Sequence, residues 1–348
     1  MTVAPDLDQF AVWEAKEREY KSTIVRLNKT LVRAKSKVED LVEATLDAAT
    51  DAVRAHGTIG VTPAPARDRR TKGKAEVALW DTGDWQFSKR TTSYDSAVAR
   101  RRVLQFATKA VELTQIQRMD HPVRDCTIVL GGDMVEGLFN FPSQPFEIDA
   151  TLFEQFVGVS DLLVAVVKIA LANYEKVTVV GEWGNHGRIG SKRDCVPRSD
   201  NVDRMCYEFA RRLLEQEKRL TWEDSPEDIQ RLVIGNYRAL VIHGDEIGRT
   251  GFASPGGIMN HANKWRAGGY KVDGVAWEFR DIYSHHYHVH SESPMPNGEG
   301  AIFQTGSTES DNRYASIHLA SQAIPSQRLH FIEPVAGRVT SQYKVLLT

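Results

Sequence analysis

The sequence predicts an α/β protein with a helical extension on its N-terminal side. From about residue 75, short apolar runs of strand length alternate with longer segments of helical period, a pattern typical of α/β folds. Between residues 8 and 55 there is neither glycine nor proline, and the apolar residues follow a heptad-like spacing. At 348 residues the chain is long enough for one large domain with an appendage, or for two domains.

The heptad-like segment is predicted to be a helix of the coiled-coil type. Its apolar residues alternate in steps of four and three, and they are Tyr20, Ile24, Leu27, Leu31, Ala34, Val38 and Leu41. All charged residues from Lys21 to Lys37 are basic, and acidic residues take over from Glu39. We place a coiled-coil-like helical segment at 1–56, a linker at 57–74 and the α/β domain at 75–348. Self-association through the helix is favoured, and packing against the α/β domain or a partner is the alternative.

Local pattern predicts the elements of the α/β domain. Four apolar runs predict buried strands at Ala75–Trp80, Cys126–Leu130, Lys176–Val180 and Ala239–Ile242. Amphipathic or apolar segments predict helices at Tyr94–Arg118, Ile148–Asn173, Asn201–Lys218 and Pro255–Ala267. A hairpin is predicted within Arg231–Asp245 around Gly235-Asn236, and the chain from Ala301 onward alternates in the manner of β structure.

Composition narrows the class of protein. A formal net charge of −2 provides no global attraction for a polyanion, so any basic surface must be local. The three cysteines, Cys126, Cys195 and Cys206, form no C-x-x-C pair, which favours a reduced compartment without a disulfide framework. The N-terminal residues are polar and acidic, unlike a signal peptide, and no apolar run approaches the ~20 residues that span a bilayer. We therefore expect a cytoplasmic protein without membrane association.

Five short polar motifs occur in a fixed order, and at least four of them directly follow a predicted strand. They are Asp84-Trp85-Gln86, Gly132-Asp133, Gly184-Asn185-His186, His243-Gly244-Asp245 and His286-Tyr287-His288. Side chains on loops at strand ends can converge in space although they are far apart in sequence. Converging carboxylate, amide and imidazole groups suit two divalent ions about 4 Å apart that share a carboxylate. Asp133, which follows a strand and two glycines, is the natural bridging ligand.

The order of these motifs resembles that of the calcineurin-like metallophosphoesterase superfamily: D-x-H, G-D-x-x-[D/E], G-N-H-[D/E], H and G-H-x-H. The resemblance covers the chain from about Ala75 to Phe331, and it implies a four-layer α-β-β-α sandwich with two divalent ions, Mn²⁺ or alternatively Mg²⁺. By this resemblance, one ion would be held by Asp84, Gln86, Asp133 and His288, and the other by Asp133, Asn185, His243 and His286. His186 would be the general acid, or would stabilise the scissile phosphate, instead of binding metal.

Two departures from the family pattern bear on the metal site. Gln86 stands where the family has histidine, and an amide oxygen is a harder and weaker ligand than imidazole, which favours manganese or magnesium. Gly187 stands where the family has an acid after His186. His186 is therefore expected to lack the carboxylate partner that the usual motif supplies.

The histidine cluster at 285–290 leaves the register of the last motif open. Ser284-His285 stands where the family has the glycine before H-x-H. We prefer His286 and His288 as ligands because they lie closest to the strand end. His290 lies on the same face of an extended chain and could then orient a ligand.

Other residues near the motifs have two interpretations each. Asp81 competes with Asp84 for the role of the first ligand. Asp84, however, lies two residues before Gln86, which is the spacing of the family motif D-x-H. Glu136 either orients a ligand or is a solvated loop acid. Arg188 and Arg193 either hold a substrate phosphate or are ordinary surface charges.

The sequence thus predicts a metal-dependent phosphodiesterase that hydrolyses nucleic acid. The variants D-W-Q and G-N-H-G-R, with Asp311, Tyr314, Pro325 and Gln327, look most like the DNA-repair exonuclease branch and its phage-encoded relatives. A DNA partner and a homo-oligomer are expected. A phosphomonoesterase or small-nucleotide phosphodiesterase is the alternative, because this type of site hosts all these chemistries. A third hypothesis is a scaffold with a degenerate site that acts through its coiled coil.

Deletion of residues 1–56 is predicted to abolish self-association and leave hydrolysis of a small phosphodiester intact, because an a/d stripe of about four heptads needs a partner surface. If the basic face binds phosphates, the deletion also flattens the salt dependence of DNA binding, since each contact releases counterions. Sedimentation velocity and DNA titrations at several salt concentrations measure both effects. If the oligomeric state and the DNA affinity are both unchanged, the segment only packs against the α/β domain of its own chain.

Overall fold

The structure is a computed structural model that describes residues 59–70, 73–138, 140, 143–190, 198–223, 225, 227–247, 255–295, 299–311 and 324–348. The predicted helix at 1–56 lies outside these described residues, as do Arg193 and Cys195. The other two cysteines, Cys126 and Cys206, are buried free thiols.

Strands and helices alternate along the described chain. The strands are β1 (Glu76–Thr82), β2 (Val123–Leu130), β3 (Lys176–Gly181), β4 (Leu220–Glu223), β5 (Gln230–Ile234), β6 (Tyr237–Ile242), β7 (Lys271–Val272), β8 (Val275–Ala276), β9 (Asp281–Ser284), β10 (Ser291–Pro294), β11 (Ala301–Gln304), β12 (Ser326–Glu333) and β13 (Arg338–Leu346). The α-helices are α1 (Ser96–Gln117), α2 (Leu152–Asn173), α3 (Val202–Leu213) and α4 (Pro255–Lys264). Single helical turns lie at Gln144–Phe146, Asp245–Ile247 and Trp265–Gly269.

Two sheets form the centre of the α/β domain. The first has the order β13-β12-β1-β2-β3-β4, in which β1 to β4 run parallel and β12 pairs antiparallel with both of its neighbours. The second has the order β10-β11-β9-β6-β5, in which β9 is parallel to both β11 and β6. The motifs follow β1, β2 and β3 in the first sheet and β6 and β9 in the second.

The sheets pack face to face, and helices cover both outer faces. One core lies between the sheets and includes Leu79, Val129, Val180, Val241, Tyr283 and Phe303. On the outer face of the first sheet, Trp80 packs edge-on against Phe106 of α1 and against Tyr174 after α2, with ring centroids 6.0 and 5.9 Å apart. On the outer face of the second sheet, Ile258 of α4 packs in one cluster with Ile282. The predicted four-layer α-β-β-α sandwich is confirmed.

Polar contacts cross the interface between the sheets. The hydroxyl of Tyr283 on β9 lies 2.9 Å from Nδ1 of His330 on β12. The guanidinium of Arg328 on β12 donates to the carbonyls of Ser291 and Gln304 in the second sheet, both at 2.8 Å. Burial, together with the charge of Arg328, lowers the pKa of His330 well below its usual range, so its imidazole is neutral.

Predicted and observed elements agree except at several boundaries. All four predicted strands are present, and the predicted hairpin is formed by β5 and β6 around Gly235. α1 begins after the capping residue Asp95, whose side chain accepts the N–H of Val98. α3 ends at Leu213, earlier than predicted, because the chain turns there and buries Glu217.

Part of the predicted linker lies along the α/β domain. The N–H of Ile59 donates to the carbonyl of Leu213 at 3.0 Å, and the N–H of Thr62 donates to the carboxylate of Glu217. Further along, the N–H of Asp68 donates to Glu175 Oε1 at 3.1 Å. Residues 59–70 are therefore fixed by hydrogen bonds to the domain, which a Gly- and Pro-containing sequence did not indicate.

Helix α2 is more apolar than expected, because the sequence predicted no segment long and apolar enough to span a membrane. Among the described residues, this one helix is long and apolar enough to cross a bilayer by length and composition alone. However, 67% of its most apolar window is buried inside the protein. Its capping box, formed by Thr151 and Glu154, and its packing between α1 and α3 are those of a core helix.

Candidate metal centre

Backbone hydrogen bonds join the first two motifs at the ends of β1 and β2. The N–H of Asp84 donates to the carbonyl of Gly132, and the N–H of Gln86 donates to the carbonyl of Asp133, both at 2.9 Å. Gly132 has a φ of 83°, and a Cβ there would lie 2.4 Å from the backbone nitrogen of Gly184. A glycine is therefore needed for this turn to approach the loop after β3.

Asp84 and Asp133 are fully buried, and each binds a backbone N–H through one oxygen only. Asp133 Oδ1 accepts the N–H of His186 at 2.7 Å, and Asp84 Oδ2 accepts the N–H of His286 at 2.9 Å. The second oxygens, Asp133 Oδ2 and Asp84 Oδ1, accept no hydrogen bond from any described residue. Since buried oxygens without donors are costly, these two are suited to bind cations.

Asn185, His243 and His286 face Asp133. Nδ1 of His243 lies 2.8 Å from the carbonyl oxygen of Gly131, which can only accept, so Nδ1 carries a proton. The other nitrogen, Nε2, lies 3.1 Å from both Asn185 Oδ1 and Asp133 Oδ2. Burial lowers the pKa of His243, but Asp133 outweighs burial and raises it well above its usual range, so the imidazole is cationic unless a metal ion binds at Nε2. The ligating atoms of Asp133, His243 and His286 all lie within 4.8 Å of one another.

His288 and Gln86 lie on the side of Asp84. Nε2 of His288 is 3.7 Å from Asp84 Oδ1 and 3.4 Å from the amide nitrogen of Gln86. Nδ1 of His288 lies 3.0 Å from Oε2 of the buried Glu309. A carboxylate behind a histidine fixes the orientation of the ring and raises its basicity. Glu309 belongs to no motif, so sequence reasoning missed it.

His186 has a carboxylate partner, and the expectation based on Gly187 is wrong. Nδ1 of His186 lies 2.9 Å from the carbonyl oxygen of Glu136 and 3.3 Å from its Oε2. Glu136 is fully buried and lies 3.1 Å from Nζ of Lys89, so it is not a solvated acid. Nε2 of His186, on the other side of the ring, is 3.9 Å from Asp133 Oδ2. The acid is thus supplied by the second motif.

These charges shift the pKa values of neighbouring groups. Burial lowers the pKa of His186, but Asp133 and Glu136 outweigh burial and raise it to about 10. Burial and then the charge of His243 lower the pKa of His286 to about 3. For Asp133, burial raises the pKa, but His243 and His186 outweigh it and hold the pKa well below its usual range. At neutral pH His186 therefore carries a proton and His286 has a free lone pair.

Left-handed backbone is concentrated at the predicted ligands. Eight described residues other than glycine have a positive φ. Five of the eight are predicted ligands: Asp84 (49°), Gln86 (44°), Asp133 (53°), His286 (73°) and His288 (57°). Such conformations cost on the order of 1–3 kcal/mol each and cluster at functional sites, where the surrounding structure enforces them.

Asp203 of α3 holds two of the ligand loops in place. Its Oδ2 accepts the N–H of Asp133 at 2.8 Å and the N–H of Gly184 at 3.0 Å, and its Oδ1 accepts the N–H of Met134 at 3.1 Å. Burial, followed by the charge of Asp133, raises the pKa of Asp203 to about 6. In the sequence it is one of several acids on a predicted helix, and nothing there distinguishes it.

The histidine cluster divides between the site and the core. His286 and His288 lie at the predicted ligand positions, whereas the fully buried His285 points its Nε2 at Asp81 Oδ1, 3.1 Å away. Asp81 also accepts a hydrogen bond from Thr305, so it does not take the place of Asp84. His290 Nδ1 is buried and has no hydrogen-bond partner among the described residues.

The predicted phosphate ligand Arg188 has a carboxylate neighbour. Its guanidinium donates to Asp245 in the loop after β6. A substrate phosphate would therefore share Arg188 with this ion pair. The phosphate-binding role of Arg188 stays a prediction, and so does that of Arg193, which lies outside the described residues.

The donor set fits divalent cations. Oxygen and nitrogen donors meet at one place. They are the two carboxylate oxygens without a hydrogen-bond donor, the amide oxygen of Asn185, and the histidine nitrogens that Gly131 and Glu309 orient. Carboxylate and amide oxygens suit Mg²⁺ and Mn²⁺, and imidazole suits transition metals. The arrangement therefore has the chemistry of a divalent metal site around Asp133, His243 and His286.

Comparisons with known proteins add only a coarse similarity of fold. No protein-family model and no curated protein matches the sequence. Solved structures similar to this chain include Vps29 from Entamoeba histolytica complexed with zinc (12% identity, 78% of this chain and 99% of that chain, TM-score 0.34). Others are a novel archaeal phosphodiesterase (12% identity, 78% and 99%, TM-score 0.36) and a predicted phosphoesterase from Streptococcus pneumoniae (10% identity, 79% and 99%, TM-score 0.30).

Gly131→Ala is predicted to destabilise the protein, because its Cβ would lie 2.1 Å from Cε1 of the buried His285. Overpacking of this kind typically costs about 1–3 kcal/mol. The matched control is Gly60→Ala, where nothing lies within 4 Å of the new Cβ, and it should change the free energy of unfolding by less than about 0.5 kcal/mol. Denaturant unfolding measures both variants. Equal stabilities would contradict the placement of His285 against Gly131.

Proposed function

We propose that this protein is a metal-dependent phosphodiesterase that hydrolyses nucleic acid. The observation that supports the proposal is the convergence of two buried carboxylates, each with one unbonded oxygen, on Asn185 and three histidines. The groups come from loops at the ends of five strands in two sheets. Buried anionic oxygens are costly unless charges or donors compensate them, and divalent cations would do so here.

Each ion has a proposed set of ligands. One ion is held by Asp84, Gln86, Asp133 and His288, and the other by Asp133, Asn185, His243 and His286. When bound, two such ions supply Lewis-acid activation of water and of the phosphoryl oxygens. Mn²⁺ is proposed first and Mg²⁺ as the alternative, because Gln86 and Asn185 add amide oxygens to the set.

His186 is proposed to protonate the leaving oxygen of the substrate. Asp133 and Glu136 raise its pKa to about 10 despite its burial, so the imidazole holds a proton at neutral pH. Glu136 lies at Nδ1, and Nε2 lies on the side of Asp133, 3.9 Å from its Oδ2. A general acid needs a proton that is held close to the reacting group, and the proposed metal ligand Asp133 marks that place.

Nucleic acid, and DNA in particular, is the proposed substrate. The support is the resemblance of the variants Asp84-Trp85-Gln86 and Gly184–Arg188 to the exonuclease branch. Because the net charge is −2, contacts to a polyanion must come from local basic surfaces, and the basic stretch Lys21–Lys37 is the proposed one. We also propose that the protein self-associates through residues 1–56 and acts in the cytoplasm.

A substrate panel tests the proposal. The purified protein is incubated with Mn²⁺ and, in parallel, single- and double-stranded DNA, cyclic dinucleotides, bis-p-nitrophenyl phosphate and p-nitrophenyl phosphate. Cleavage of DNA and of the diester, abolished by EDTA and restored by Mn²⁺, is expected. Hydrolysis of the monoester alone would instead identify a phosphomonoesterase. Metal binding without hydrolysis of any of these substrates would favour the scaffold hypothesis.

Asp133→Asn is predicted to reduce hydrolysis by several orders of magnitude and to lower the number of bound ions, because a neutral amide cannot hold two cations. Elemental analysis of metal-loaded protein should find close to two ions per chain in wild type and fewer in the variant. Asp120→Asn is the matched control, since the side chain of Asp120 is 91% exposed. Activity of the wild type that survives exhaustive treatment with EDTA would contradict the two-metal proposal.

His186→Ala is predicted to keep the metal content and lose about 10²–10⁴ in rate, the usual contribution of an acid–base group. The control is His121→Ala, because His121 is partly exposed and contacts Lys74, Asp120 and Glu76 instead of the predicted ligands. Loss of metal together with activity in His186→Ala would make this residue a ligand, and the proposed proton transfer would be wrong.

A further inference from the structure

Arg198 places a largely buried guanidinium between two ligand-bearing loops. Its Nη2 lies 2.8 Å from Glu182 Oε1 and 2.8 Å from the carbonyl oxygen of Trp183, both in the loop that follows β3. The same nitrogen lies 2.5 Å from Glu246 Oε1 in the loop that follows β6. Since β3 belongs to the first sheet and β6 to the second, one side chain connects ligand loops of both sheets.

Both carboxylates that Arg198 contacts are fixed to the backbone of these loops. Glu246 Oε1 accepts the N–H of His243 at 3.3 Å, and its Oε2 accepts the N–H of Gly244 at 2.6 Å. Glu182 is fully buried and accepts the N–H of Trp183 at 2.8 Å. A shift of the guanidinium would therefore be transmitted to the backbone on both sides.

The bridge lies beside the pair of ligands that come from different sheets. Asn185 follows β3 and His243 follows β6, and their side chains are 3.1 Å apart. On the side of the first proposed ion, the ligand loops contact each other without Arg198, because the carboxylate of Asp84 accepts the N–H of His286 directly at 2.9 Å. Among the described residues, Arg198 therefore connects the loops on the Asn185–His243 side of the centre and not those on the Asp84 side.

We propose that Arg198 and Glu246 are positioning residues that set the distance between Asn185 and His243. By this mechanism they determine the affinity for the ion that Asn185 and His243 share, and they leave the ion at Asp84, Gln86 and His288 nearly unaffected. The inference uses the ligand assignment of the proposed function. A planar guanidinium suits this task because its donors have a fixed geometry toward several acceptors.

A purely structural ion pair would behave differently. Removing one partner of a buried pair destabilises a protein as a whole, because an unpaired charge remains. Such a loss would weaken both metal sites equally or neither. Positioning predicts an asymmetric effect, in which one of two ions is lost while the other remains.

Titration of the metal-free, full-length protein with Mn²⁺ tests the inference, with calorimetry for affinity and electron paramagnetic resonance for the number of bound ions. Arg198→Met should weaken one of two sites by about 10- to 100-fold, the usual effect of removing a group behind a metal ligand. The other site should stay within about threefold of wild type. Arg198→Lys, which keeps the charge, should recover part of the lost affinity, and melting curves establish that each variant is folded.

Two further variants separate positioning from a general loss of charge. Glu246→Gln keeps an acceptor for the N–H of His243 but removes the charge, so it should weaken the same site less strongly, and it replaces Arg198→Met if that variant does not fold. Arg212→Met removes an exposed arginine that pairs with Glu208 at 2.9 Å, and it should change neither site.

Three outcomes would overturn the inference. They are an equal loss of both ions, unchanged binding of both ions in folded Arg198→Met and Glu246→Gln, and additive effects of these two substitutions when both are made in one protein, since coupled residues are non-additive. A wild-type protein that binds no Mn²⁺ would overturn the proposed function itself, together with this inference. A wild type that binds two ions while the variants behave like Arg212→Met would overturn the inference alone.

Discussion

The candidate site depends on the burial of two carboxylates, Asp84 and Asp133, whose charges the protein compensates only in part. Each gives one oxygen to a backbone N–H and keeps the other without a donor among the described residues. The attraction between Asp133 and His186 acts on both groups, since it contributes to the low pKa of the acid and to the high pKa of the imidazole. Cations or protonated imidazoles are needed nearby, because an isolated buried charge costs several kcal/mol. The surrounding turns and hydrogen bonds hold these groups together.

A second set of acids supports the first. Glu136 lies behind His186, Glu309 lies behind His288, and Asp203 accepts the backbone N–H groups of the loops that carry Asp133 and Gly184. None of the three is exposed, so each has exchanged its hydration for contacts with groups of the protein. Their orientation of the inner groups explains how left-handed backbone at five predicted ligands can be maintained.

The sequence predicted the fold and the convergence of the motifs because both depend on local signals. Apolar runs define the strands, and the polar residues directly after them must lie at strand ends. The supporting acids could not be predicted, since Glu309 and Asp203 acquire their roles only through contacts between distant segments. The same reason applies to the partner of His186: its carboxylate is adjacent in space and fifty residues earlier in the chain. The fixed position of residues 59–70 likewise depends on tertiary contacts, among them those of Ile59 with Leu213, Thr62 with Glu217 and Asp68 with Glu175.

The polar contacts inside the sandwich determine how the two halves of the site meet. An interface made only of aliphatic side chains would allow one sheet to slide over the other at little energetic cost, because hydrophobic attraction has no direction. The hydrogen bond between Tyr283 and His330, and those from Arg328 to the carbonyls of Ser291 and Gln304, are lost after a displacement of one residue. Left without partners in the interior, these groups would make every other offset unfavourable. The alignment of the carboxylates of one sheet with the histidines of the other is thus specified by buried contacts between the sheets as well as by the loops that carry these groups.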